Sequence, residues 1–376
     1  MEARTDKLRD RLEHSTQIND GLSQTSADAA ALAFDKKYGI MFCAYMPGMQ
    51  GRYGESRGKV SLSYFPASQP TNIRFVTVVQ GNAVYCHNIL GLGDGRVRVF
   101  YEKDSYADGD HTWCYKDFDF ISDSLSSEHT VMVRQNDGSN VPLCLSAQFR
   151  YLEAHGYHDH EYVRTEQVGH CAYHKGKDGY TYGAALSCYA EPILFRSTDD
   201  GATVEFFAVY PKPAQYEFEY RFLNGQIYAI YRTDKKIDSI CFTCSVDMGK
   251  TWREPTSYPG SIPCRPRMLV YNGHILTCHN YFNATTKHRP PFPSGRTSVR
   301  LTYGEDMGAD KGIVVADLYS KYGMVNVCLA DIFNDLYLAY STSEVPLEYQ
   351  NYPYDDGVIH GKDSIRYVKL GDLLPE

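Results

Sequence analysis

No run of apolar residues in the sequence is long enough to cross a bilayer, and the opening MEARTDKLRDRLEHS is charged where a secretory signal would be apolar. A cytoplasmic protein with no membrane partner is the expectation. There is no block of basic residues either: 46 Asp and Glu outnumber 38 Lys and Arg, for a net charge of −8, which argues against nucleic acid as a partner. Regular cysteine spacing is also missing. The 11 cysteines are odd in number, and Cys241, Cys244 and Cys328 fall inside strand-like runs, so buried free thiols are expected rather than a disulfide framework. Cys241-x-x-Cys244 has no second pair nearby, and His155-Gly156-Tyr157-His158-Asp159-His160 reads as an exposed polar loop. No metal and no cofactor is expected.

What the chain does have is tyrosine, 32 of them, with 17 phenylalanines. These residues favour strands, and their ring faces also stack on sugars. Alternating apolar runs recur around turn residues: Val84 to Tyr101 around Gly93-Asp94-Gly95, and His170 to Leu186 around Lys177-Asp178-Gly179. The pattern returns in Tyr220 to Arg232 around Asn224-Gly225 and in Met268 to His279 around Asn272-Gly273. Asn and Gly accept the positive φ that a tight hairpin needs. Residues 1 to about 18 alternate charge with isolated Leu, as a short solvated helix does. The expected organisation is an N-terminal helical or extended segment over 1–28 and one all-β domain over 29–376. Ser364 to Leu370 reads as a strand that closes the domain by completing its first sheet.

The stretch Ser245-Val246-Asp247-Met248-Gly249-Lys250-Thr251-Trp252 follows the apolar run Ile240 to Cys244. The pattern S-x-D-x-G-x-T-W after a strand specifies a tight turn, in which Gly takes the positive φ and the Ser and Asp side chains fold back onto backbone amides. Ser197-Thr198-Asp199-Asp200-Gly201-Ala202-Thr203-Val204 is a second copy that lacks only the Trp, 48 residues earlier; a remnant at Glu305-Asp306-Met307-Gly308 lies 59 residues later. Asp108-Gly109-Asp110-His111-Thr112-Trp113 is a looser version upstream. A period near 50 residues describes four-stranded propeller blades, and a chain of 376 residues holds six or seven of them. The turn resembles the Asp-box, or BNR repeat, of the sialidase superfamily. That resemblance implies a sialidase-like β-propeller, six-bladed with five or seven blades as alternatives, in which the turn is a structural staple.

The likeness to sialidases runs over residues 165 to 345 and implies a site where loops of several blades meet. Glu217, in Gln215-Tyr216-Glu217-Phe218-Glu219-Tyr220, and Arg232, which ends the partner strand 15 residues later, stand as a sialidase glutamate and arginine do. Tyr216 and Glu219 compete for the same register. Pro293-Ser294-Gly295-Arg296-Thr297-Ser298-Val299-Arg300 resembles the segment with a second arginine, Arg296 being preferred to Arg300, and Tyr322 takes the place of the nucleophilic tyrosine. Gly169-His170-Cys171 also resembles a strand start of the family. The chain departs from the family in having no early F/Y-R-I-P motif, and Ala27 to Phe34 contains no Arg. Arg52 and Glu55, in the loop Met46 to Gly58, are the nearest replacements for the missing arginine and acid. The implied activity is exo-glycoside hydrolysis of a terminal acidic sugar, of sialic or uronic acid type, on an oligosaccharide or glycoside. Arginine forks would grip the carboxylate, and Tyr322, deprotonated by Glu217, would attack the anomeric carbon.

Two other readings stay open. A lyase would cleave a uronic-acid bond by β-elimination, with Tyr216, His87 or His170 as base and Arg232 neutralising the carboxylate. A propeller can also simply bind a glycan, since the fold licenses no activity of its own.

Overall fold

A strand buried on both faces needs apolar residues at nearly every position, and several segments of this chain supply them: Ile240–Ser245 is buried at all six positions. The computed structural model describes residues 8, 11–20, 28–46, 59–81, 84–103, 110–157, 172–185, 192–210, 214–233, 240–258, 260–262, 264–281, 298–304, 312–320, 323–343 and 363–372. They form six antiparallel sheets arranged as a β-propeller.

Ahead of the blades lies the short strand β1 (Thr16–Gln17). Blade 1 is β2 (Asp28–Asp35), β3 (Ile40–Met46), β4 (Lys59–Pro66) and β5 (Arg74–Gln80). Blade 2 is β6 (Val84–Gly91), β7 (Arg96–Lys103) and β8 (Thr112–Asp119), with β9 (Ser124–Leu125) and β10 (His129–Thr130) beside β8. Two further short strands, β11 (Met132–Arg134) and β12 (Asn140–Pro142), precede the helix α1 (Leu145–Ala154) and widen the outer edge of blade 3. That blade runs outward from β13 (His174–Lys175) through β14 (Thr181–Ala185) and β15 (Ile193–Ser197) to β16 (Thr203–Val209). Blade 4 is β17 (Ala214–Leu223), β18 (Gln226–Thr233), β19 (Ile240–Ser245) and β20 (Thr256–Ser257). Blade 5 is β21 (Arg267–Tyr271), β22 (His274–Asn280), β23 (Ser298–Tyr303) and β24 (Ile313–Tyr319). Blade 6 is β25 (Val325–Ile332), β26 (Asp335–Ser343) and β27 (Asp363–Gly371), and β1 is its fourth strand.

Apolar clusters lie between successive blades. Phe42, Leu62 and Val97 join blade 1 to blade 2; Phe100, Trp113 and Phe195 join blade 2 to blade 3; Tyr182, Tyr220 and Tyr231 join blade 3 to blade 4. Ile230, Phe242 and Met268 continue to blade 5, Leu276, Val299 and Leu338 to blade 6. Cys43, Phe65 and Tyr367 close the ring between blades 6 and 1. The eight cysteines whose side chains are described form no disulfide with one another, and all but Cys144 are buried. No helix among the described residues is long and apolar enough to cross a membrane.

The seam is closed from the other end than the sequence suggested. Ser364 to Leu370 belongs to β27, next to β26, and does not complete blade 1. β1 pairs with it instead, Thr16 opposite Tyr367 and Gln17 opposite Arg366, while Leu8 and Leu12 pack into the cluster between blades 5 and 6. The last blade has one open edge, and the start of the chain covers it.

Local turn chemistry follows the sequence closely. Asn224-Gly225 and Asn272-Gly273 each place both residues at positive φ, 52° and 78° in the first and 48° and 79° in the second. The two S-x-D-x-G turns share one hydrogen-bond pattern. Gly249 N and Gly201 N each donate to the preceding serine Oγ at 2.8 Å, and Thr251 N and Thr203 N each donate to the aspartate Oδ1 at 2.8 Å. Hydrogen bonds from Thr251 hold the Asp247 carboxyl down at about 2. Trp252 packs on Tyr210, ring centroids 5.2 Å apart, and so pins this turn to the neighbouring blade.

The Asp108 to Trp113 stretch is not a third copy. It leads into β8, the third strand of its blade, whereas the two true turns follow a third strand. Asp110 accepts from Ser146 N at 3.1 Å and Ser146 Oγ at 2.7 Å, tying the start of α1 to blade 2. The remnant at 305–308 lies outside the described residues.

Gly249 sits at φ 81°, and a Cβ there would stand 2.7 Å from Ala208 Cβ. Gly249→Ala is therefore expected to cost about 1–3 kcal/mol, read as a lower urea midpoint with unchanged slope.

Candidate functional site

First strands begin, second strands end and third strands begin at one rim of the ring, which makes that rim the meeting place of residues distant in sequence. At this rim β17 is irregular. Ala214 pairs with Thr233 and the next pair is Phe218 with Tyr231, so Gln215, Tyr216 and Glu217 together stand opposite Arg232 alone. Similar shifts interrupt β2 between Ala29 and Ala31, β6 between Cys86 and Asn88, and β25 between Val325 and Cys328. Extra residues of this kind re-aim side chains and are common beside active sites.

Glu217 and Arg232, paired on sequence grounds, are in contact: Arg232 Nη1 donates to Glu217 Oε2 at 3.0 Å, with side chains 12% and 14% exposed. The contact runs through one nitrogen and one oxygen rather than through a two-pronged fork. His87 lies at the bulge of β6 and Tyr216 in the irregular start of β17, but neither side chain is among those described. Arg52, Glu55, His170, Arg296 and Tyr322 lie outside the described residues, as do His158 and His160.

Glu219, the competitor of Glu217, faces the same way two residues further in and does something different. Its carboxylate lies between two guanidinium groups, those of Arg221 and Arg267, the latter at 3.5 Å. Arg267 also donates from Nε to the Val327 carbonyl at 2.9 Å and from Nη2 to Cys328 Sγ at 3.6 Å. Arg221 donates to the Ala172 carbonyl at 3.3 Å. One buried string of charges thus ties the innermost strands of blades 4, 5 and 6 to the backbone entering blade 3. Sequence reading missed Arg221 and Arg267; the signal available for the second was Arg265-Pro266-Arg267 directly ahead of an apolar strand.

Arg300, the alternative to Arg296, is committed elsewhere. It holds Asp317 through Nε at 2.8 Å and Nη2 at 2.9 Å and stacks on Tyr281 at 4.2 Å. Burial pushes the Tyr281 phenol up to about 12, with Asp317 adding to the effect, and burial likewise raises Tyr231 and Tyr258. None of these three tyrosines is set up to ionise as a nucleophile.

His279 is 1% exposed beside Tyr258 and opposite Arg300, and burial depresses its pKa from 6.5 to about 3. His174, packed on Tyr182 and Tyr220, is lowered too, first by burial and then by Arg221. Both stay neutral in the folded chain but protonate near 6.5 when exposed, so below that pH the unfolded state binds the extra protons. Their contribution is complete above about pH 6.5 and falls as pH drops below it, for His279 down to about 3. Urea titrations at pH 7.5 and 5.0 should show the midpoint falling with acid, and His279→Gln should flatten that slope. Among the described residues no cluster of His, Cys, Asp and Glu is arranged to hold a metal ion.

No family model and no curated protein matches the sequence. Among solved structures the fold is similar to the Trypanosoma rangeli sialidase in complex with the inhibitor DANA, with a TM-score of 0.58 and 12% identity over 92% of this chain and 55% of that one. It is similar to the NanB sialidase of Streptococcus pneumoniae, with a TM-score of 0.55 and 10% identity over 95% of this chain and 70% of that one. A Dyadobacter fermentans protein of unknown function matches end to end, with a TM-score of 0.58 and 12% identity over 94% and 98%. The chain spans about half the length of the trypanosomal enzyme. At such identities the likeness is one of fold.

Proposed function

We propose that this propeller is a sialidase-type exo-glycosidase that removes a terminal acidic sugar, of sialic or uronic acid type, from an oligosaccharide or glycoside. The observation that carries the reading is the 3.0 Å contact of Glu217 with Arg232, made where β17 gives three residues to the position opposite one. The two S-x-D-x-G turns, taken as Asp-boxes, support the same family.

In this reading Arg232, Arg296 and Arg52 grip the sugar carboxylate through planar forks, which a lysine cannot reproduce. Tyr322 attacks the anomeric carbon and passes its proton to Glu217. A neutral-born nucleophile avoids the repulsion that a carboxylate would meet beside the substrate's own negative charge. Glu55 protonates the leaving oxygen, and water then releases the sugar from Tyr322. The raised pKa values of Tyr231, Tyr258 and Tyr281 support assigning the attack to a tyrosine other than these.

The test is a panel of acidic glycosides and uronic-acid oligosaccharides analysed by product. Release of a saturated acidic monosaccharide is the expected result. An unsaturated product absorbing in the ultraviolet would replace hydrolysis by elimination, with Tyr216, His87 or His170 as base. Saturable binding without turnover would leave a glycan-binding propeller.

A further inference from the structure

On the rim opposite the candidate site, the seam between blades 1 and 2 opens into a cavity of about 660 Å³. Its walls come from the connections of that rim: Tyr38 from the β2–β3 turn, Tyr64 near the end of β4, Phe120 and Ile121 just past β8, and Asn72 and Arg74 at the entry to β5. The volume falls within the range of small-molecule sites and is larger than a packing gap between blades requires. The apolar walls remain open to solvent, with Ile121 59% and Tyr38 40% exposed.

Three charged groups at the entrance are exposed, the two cations Lys37 and Arg74 and the one carboxylate Asp123. Arg74 is exposed beside Tyr64, whose hydroxyl donates to Asp123 at 2.9 Å. Lys37 lies 4.8 Å from the centroid of the Tyr38 ring. Asp123 is engaged by Tyr64, and buried Asp35 is turned inward, accepting from Gly95 N at 2.7 Å and Tyr38 N at 3.1 Å. A guanidinium carries five donors in a planar fork, and the exposed Arg74 can turn them to a ligand. A saccharide would want polar groups all round its ring, and among these side chains only Asn72, Arg74 and the hydroxyls of Tyr38 and Tyr64 supply them, the Tyr64 hydroxyl already donating to Asp123.

We propose that this cavity binds a small organic anion: a flat ring-bearing body that lies against Tyr38, Phe120 and Ile121, and a carboxylate, sulfonate or phosphate head that meets Arg74. The site is on the far side of the ring from the proposed chemistry and stands or falls independently of it.

The probe is 8-anilinonaphthalene-1-sulfonate, followed by fluorescence and by calorimetry on the full chain. One saturable site per chain is expected. Arg74→Gln should weaken it about 10-fold or more, as loss of a charge-assisted hydrogen bond requires, and Arg74→Lys should restore part of the loss. Ile121→Glu should abolish binding, and because both positions are exposed the urea midpoints should stay put. On the unmodified protein, naphthalene-1-sulfonate should displace the dye and naphthalene-1-methanol should not. Unsaturable fluorescence, an Arg74→Gln variant with unchanged affinity, or displacement by the neutral alcohol as effective as by the sulfonate would overturn the proposal.

Discussion

Tyr322→Phe and Glu217→Gln are each expected to lower kcat for release of the acidic sugar by about 10³-fold or more, with the double variant little worse than either single one. The reason is that the two act as a unit. A phenol attacks only as it loses its proton, and the glutamate is useful only while that proton has somewhere to go. Glu217 is held by Arg232 at 3.0 Å, so removing its charge also unsettles the arginine that grips the substrate. Arg232→Lys keeps the charge and loses the planar fork, and it should raise KM more than it lowers kcat. Initial-rate kinetics on the four proteins checks all of this. Full activity in Tyr322→Phe would remove the tyrosine from the mechanism, and independent, multiplicative losses would separate it from Glu217.

The second large effect is on stability. Glu219 is 1% exposed and is the carboxylate between Arg221 and Arg267, so Glu219→Ala leaves two buried guanidinium groups facing each other across the hub. Breaking a buried ion pair from one side costs about 3–5 kcal/mol, because the remaining charge keeps its desolvation penalty and loses its compensation. Glu219→Gln should cost less, since the amide oxygen still accepts a hydrogen bond. The urea midpoint measures both. A Glu219→Ala variant within 1 kcal/mol of the parent, on the scale of an ordinary surface substitution, would show that the charges at the hub are solvated.

These two glutamates show where sequence reading stops. Residues 217 and 219 are two apart in a strand, so alternation puts both on one face and gives no ground for choosing between them. What separates them is the irregular start of β17, a register shift that depends on β18 and leaves no local mark. Features held within a few residues were legible: Asn224-Gly225, Asn272-Gly273 and the turns at Ser197 and Ser245 adopt the conformations their side chains demand. Repetition of those turns gave the blade period and an expectation of six or seven blades, of which the structure has six. The same local reading failed at Asp108 to Trp113, because composition matched a turn while position in the blade did not. It failed again at the seam, because the pairing of Thr16 with Tyr367 is a contact between opposite ends of the described chain.

That pairing has a consequence for biosynthesis. On a ribosome β1 emerges ahead of the six blades and must wait until β27 is made before it has a strand partner, since Arg366 donates to the Ser15 carbonyl 351 positions away. During that interval five blades stack with an unsealed flank, and pairing so distant in sequence is slow to form and exposed to misassembly. Nascent chains stalled just short of β27 should therefore recruit chaperones and be cut readily by proteases, whereas chains that carry a complete β27 clear of the ribosome should escape both.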